Sequence, residues 1–203
     1  MAAFMAASAL ALAACNGGGN PPGTDPTSAS ASASESASVT PTPTPSAAYK
    51  PADAKGKAQN VPVPVLPEAA KTETKEGLEA FADYWFKLLD YAYETGDISG
   101  LGAVTSPACE LCSNITTSLS TNYEGDRWLA GGKLVTPSIT TTFTPESDGS
   151  YQVLVQVQQA AISYFAPGGS QFRSPTPPSD TGNVLLVEFK DRGWYLSGLH
   201  PIR

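Results

Sequence analysis

The chain has 203 residues and a formal net charge of −7 at pH 7. That length gives room for one domain and a tail. The acidic balance, with no basic cluster, argues against a nucleic-acid partner and against electrostatic docking on anionic head groups, because phosphate would be repelled.

Residues Met1 to Ala14 carry no charged side chain and form one short apolar run. A permanent membrane helix needs about 20 apolar residues. This run instead has the length of a signal-peptide apolar region, roughly 7 to 15 residues. The segment Leu12-Ala13-Ala14-Cys15 resembles the lipobox of bacterial lipoproteins. The resemblance implies cleavage between Ala14 and Cys15 and a diacylglyceryl group on the Cys15 thiol. The chain would then sit on the outer face of the bacterial cytoplasmic membrane, held there by lipid. No Lys or Arg precedes Cys15, so the start codon is expected upstream of Met1.

From Cys15 to Asn60 the chain is rich in Ser, Ala, Thr and Pro, including the run Thr40-Pro-Thr-Pro-Thr-Pro45. It holds little apolar surface to offset its ordering entropy, so residues 15–60 are expected to be a disordered stalk. The folded domain is expected over 61–203. Val61-Pro-Val-Pro-Val-Leu-Pro67 reads as its extended lead-in.

The first periodic element spans about Thr74 to Thr95. Leu78, Phe81, Ala82, Trp85, Leu88, Leu89 and Ala92 recur at helical spacing. Thr74 suits the N-cap and Gly96 the C-cap. Glu73, Glu76, Glu79, Asp83, Asp90 and Glu94 read as its solvated face. A short helical turn is expected within Asp97–Val104. A Ser/Thr-rich helix follows to about Thr121, with Ser106 as its cap and Pro107 as its first residue. It carries Cys109-Glu110-Leu111-Cys112. Residues three apart on a helix share a face within disulfide reach, and an even pair of cysteines outside the cell suggests a bond. Redox activity and metal ligation are the alternatives. No metal or cofactor is expected, since zinc needs two more ligands and the chain has one histidine, His200.

From Trp128 the period changes to two. Strands are expected at Lys133–Thr144, Ser150–Phe165, Asn183–Lys190 and Trp194–Leu199, with a long Pro/Gly/Ser-rich loop at Pro167–Gly182. Helices followed by antiparallel strands give an α+β domain, with helices packed on a curved four-stranded antiparallel sheet.

This order resembles the cone-shaped fold of nuclear transport factor 2-like proteins. The stalk, Val65 to Ala70, Tyr84-Trp85, Cys109-x-x-Cys112 and Gly193-Trp194-Tyr195 also resemble lipoproteins of high-GC Gram-positive bacteria that carry a C-terminal domain of unknown function. The resemblance implies location and fold and assigns no activity. The leading expectation is a non-catalytic binding module for a cell-envelope protein, a glycan or a small apolar ligand, with the aromatic helix face and the long loop as its motivating features. The alternatives are a cone-fold enzyme using Asp83 or Asp90 with His200 or a tyrosine, and a thiol-disulfide protein.

Overall fold

A computed structural model describes residues 47–202. Ala14, Cys15 and the stalk up to residue 46 lie outside the described residues. Three helices precede or flank seven strands: α1 (Lys75–Thr95), α2 (Ser99–Ala103), α3 (Glu110–Tyr123), β1 (Trp128–Gly131), β2 (Leu134–Thr140), β3 (Tyr151–Gln159), β4 (Ile162–Phe165), β5 (Gln171–Thr176), β6 (Ser179–Lys190) and β7 (Gly193–Pro201).

The helix α1 forms where its caps and period place it. The Thr74 hydroxyl accepts the Gly77 amide at 3.0 Å, and Gly96 closes the helix in the left-handed region at φ 80°. Its apolar stripe, from Leu78 through Ala92, is buried. The helix α3 starts later than Ser106-Pro107 suggested. Cys109 is its cap, with the sulfur accepting the Cys112 amide. Ser106 instead donates its amide to Leu196 on β7 at 2.8 Å, which holds this segment against the sheet edge and out of the helix.

The single four-stranded sheet expected from sequence is corrected to two antiparallel sheets, one in the order β1-β4-β5 and one in the order β2-β3-β6-β7. The long strand expected over Ser150–Phe165 breaks at Ala160-Ala161, where the chain leaves β3 in one sheet for β4 in the other. Directly opposite, Gly131 and Gly132 carry β1 into β2 with positive φ of 83° and 73°. Their backbones interlock: the Gly132 amide donates to Ala161 and the Ala160 amide to Lys133, both at 2.9 Å. A Cβ at Gly131 would run into the Ala161 carbonyl, so only glycine turns this corner. The expected loop Pro167–Gly182 is corrected too, since it contains β5 and the first residues of β6.

The core lies between α1 and the sheets. Tyr151, Val153, Val155 and Val157 of β3 and Leu185 and Val187 of β6 face inward, as their alternation predicts. The ordered domain also begins before Val61. Lys50 and Gln59 exchange backbone hydrogen bonds, and the Trp128 indole donates to the Asp53 carbonyl at 2.8 Å. Composition alone could not reveal this segment, because main-chain groups and side chains elsewhere hold it.

Gly77 offers a test of sign. Replacing glycine by alanine in a helix ordinarily stabilises by about 1 kcal/mol. Here a Cβ would strike the carbonyl oxygens of Thr72 and Ala69. Gly77→Ala is therefore expected to lower the urea midpoint at unchanged m-value. A midpoint equal to or above wild type would contradict this packing of the turn before α1.

Candidate functional site

Trp85 and Leu89, one helical turn apart on α1, form one wall of an apolar cavity of about 370 Å³. Leu101 and Gly102 of α2 form a second wall, and Cys112, Ile115 and Thr116 of α3 a third. The Trp85 side chain is 1% exposed, and its indole N–H donates to the Thr105 hydroxyl at 2.9 Å. Thr105 is positioned by the sheet: it bridges Leu196 in parallel register, and the Leu196 amide donates to Val104 at 3.0 Å. The lining carries no charged side chain, and its polar atoms come from hydroxyls such as Thr105, Ser106, Ser113 and Thr116.

The Cys109 and Cys112 sulfurs lie at disulfide distance, with their Cα atoms 5.3 Å apart. Both residues are buried, and Cys112 belongs to the cavity wall. A loop this small gives the bond little entropic leverage, less than the roughly 3 kcal/mol of a 15-residue loop. Its clearest consequence is positional, since it fixes the first turn of α3 beneath the cavity.

A second cavity, of about 290 Å³, lies on the β4–β5 side of α3. It is more polar. Asn114, Ser118 and Asn122 face Tyr164, Arg173 and Thr176 across it. The Arg173 guanidinium sits 4.6 Å over the Tyr164 ring. The Tyr164 and Thr176 hydroxyls are hydrogen-bonded at 2.7 Å. Tyr93, also in this wall, has its phenol pushed above its ordinary value by burial.

The family model described as a family of unknown function, DUF6318, matches residues 47–200. The chain belongs to the DUF6318 family. No curated protein matches it. Among solved structures, the intermembrane space region of the chloroplast protein ARC6 is 12% identical, with a TM-score of 0.46, covering 64% of this chain and 96% of its own. A periplasmic fragment of TraM is 13% identical, with a TM-score of 0.36, covering 63% and 96%. At these scores neither likeness carries an argument about this domain.

The DUF6318 domain does not bring together the acids and histidine singled out in the sequence. His200 is exposed on β7, opposite Val184. Asp83 accepts from the Thr136 hydroxyl at 3.1 Å and pairs with Lys87, while Asp90 accepts the Leu134 amide at 2.8 Å and pairs with Lys133. Glu73 accepts from the Tyr151 hydroxyl at 2.9 Å, and Glu94 from Tyr49. All four were read from sequence as a solvated face; Asp83, Asp90 and Glu94 instead tie α1 to its neighbours, and Glu73 ties the turn before α1 to β3. Among the described residues no group of three or more His, Cys, Asp or Glu side chains gathers as a metal would require. No described helix is long and apolar enough to cross a membrane. The cavities themselves were hidden in the sequence. Only the surplus of aromatics on α1 hinted at the first, and nothing in the pattern placed Arg173 near α3.

The Tyr49 contact predicts an alkaline transition. Its hydrogen bond to Glu94, with burial second, pushes the Tyr49 phenol from its ordinary 10.0 up to about 12. A raised value means that folding favours the protonated phenol. The contribution is complete below about pH 10 and is lost as pH rises through about 12. Between those values the urea midpoint of wild type is expected to fall more steeply than that of Tyr49→Phe. Parallel curves would show that the contact is not formed in solution.

Proposed function

We propose that this DUF6318 protein is a bacterial lipoprotein of the outer face of the cytoplasmic membrane, tethered through diacylglyceryl on Cys15. Its domain is a non-catalytic module that binds a small apolar ligand in the cavity against Trp85. The observation that carries the binding reading is an apolar cavity of about 370 Å³ with no charge in its lining. A site of this size and polarity suits a small molecule better than a macromolecule. Support for the anchor comes from Leu12-Ala13-Ala14-Cys15 and the Ser/Thr/Pro-rich segment that follows it. The acidic balance leaves the acyl chains as the membrane contact. The absence of catalysis is supported by Asp83 and Asp90, each committed to α1 or β2 partners and neither bonded to His200. We also read the domain as a nuclear transport factor 2-like cone, on its order of a long helix, a short helix, a third helix and then antiparallel strands.

The anchor is tested by metabolic labelling with a clickable fatty acid. Cys15→Ala is expected to abolish the label, and a variant labelled as strongly as wild type would refute lipidation there. The cavity is tested at Gly102, where an added Cβ meets no heavy atom within 4 Å. Gly102→Phe is expected to fold with an undiminished melting temperature and to lose the 1-dodecanol binding that wild type shows by titration calorimetry. Equal binding by both proteins would place the ligand elsewhere.

A further inference from the structure

Eleven residues line the apolar cavity and twelve the polar one, and Ile115 alone belongs to both. Successive residues of a helix turn by about 100°. Cys112 and Thr116 therefore point α3 toward Trp85, Ser118 and Asn122 point it toward Arg173, and Ile115 falls between the two directions. A half-buried isoleucine side chain is thus where the lining of an uncharged apolar space meets that of one that carries charge.

That charge is single. Arg173 is the one formally charged residue in either lining, and neither lining contains a carboxylate. The chain has 19 acidic residues. None of them forms an ion pair with Arg173 among the described residues. Stacking on Tyr164 occupies one face of the guanidinium and leaves its N–H edge able to bind a carboxylate with two parallel hydrogen bonds. The side-chain amides of Asn114 and Asn122 supply further donors at the same cavity.

We infer that the two cavities form one site for a single-chain amphiphile with a carboxylate head. Its alkyl chain lies against Trp85 and its head against Arg173, with Ile115 turned aside between them. This rests on the apolar-ligand reading above and names the ligand class. Charge complementarity selects it: the acidic domain repels anions in general, yet it keeps an unpaired cation at the polar end of an apolar space.

The test is titration calorimetry of the full chain carrying Cys15→Ser, so that added amphiphile is the source of alkyl chain. Dodecanoate and 1-dodecanol are compared at pH 8, the first below its micellar concentration and the second below its solubility limit. Dodecanoate is expected to bind with a stoichiometry of one and about tenfold more tightly than 1-dodecanol, in line with a charge-assisted hydrogen bond. Decanoate is expected to bind more weakly than dodecanoate by about fourfold for each methylene lost. Arg173→Gln, a change at an exposed residue, is expected to erase the preference by bringing dodecanoate down to the affinity of 1-dodecanol. Equal affinities in wild type, or a preference that survives in Arg173→Gln, overturn this inference and leave the apolar-ligand reading standing. Binding of neither compound overturns both.

Discussion

An indole cannot be buried cheaply unless its N–H finds an acceptor, and at Trp85 that requirement organises the middle of the domain. The residue is 1% exposed, which shuts it off from bulk water. Thr105 serves instead, at 2.9 Å. To reach that position the chain after α2 must run along the edge of β7, where Val104 and Ser106 bond to Leu196. The same run covers part of that edge, which would otherwise present unpaired backbone groups. It also moves the start of α3 away from α1. Space is left between the two helices, and that space is the apolar cavity. One hydrogen bond thus links the long helix, the sheet edge and the candidate site.

The second constraint is the corner at Gly131-Gly132. A single sheet of these strands would twist past the helices on one side. With two sheets meeting at a corner, each helix touches both: α1 packs on β1, β2 and β3, and α3 on β1 and β7. The corner needs a matching break in the partner strand, which Ala160-Ala161 provides, with mutual backbone hydrogen bonds across it. Because β4 and β5 turn away from the main sheet there, they bring Tyr164 and Arg173 over the outer side of α3. The polar cavity follows from this corner, as the apolar one follows from Trp85.

These two origins explain what could be read in advance. The helix α1 was legible from both ends because Thr74, Gly96 and the apolar stripe each signal locally. The inward faces of β3 and β6 were legible for the same reason. The corner was not, although Gly131-Gly132 is a visible pair, because the signal has meaning only opposite a break in a strand that reads as continuous from Ser150 to Phe165. β5 was obscured by Pro175 and by its exposed residues, which give no alternation. The segment around Lys50 to Gln59 is polar, and it is ordered by Trp128 far along the chain. The Cys109–Cys112 geometry was legible from spacing. Its place in a cavity wall depended on where α1 lay and was not.

The composition of α3 connects the two cavities to a cost in stability. Its sequence places Ser113, Asn114, Thr116, Thr117, Ser118, Ser120, Thr121 and Asn122 within fourteen residues. These side chains compete for the backbone and are poor helix formers. With just Cys112 and Leu119 fully buried, packing offsets little of that. A capping sulfur and a covalent bond at the first turn supply part of what propensity lacks, by fixing the nucleus from which the helix extends. Five of these eight face the two spaces: Ser113 and Thr116 line the apolar cavity, and Asn114, Ser118 and Asn122 the polar one. Replacing Thr116 and Ser118 by alanine would make a better isolated helix and leave each cavity with one polar group fewer. Part of the weakness of α3 is thus the cost of the polar groups it turns to the two cavities, and the Cys109–Cys112 pair sits at the turn where that cost is offset.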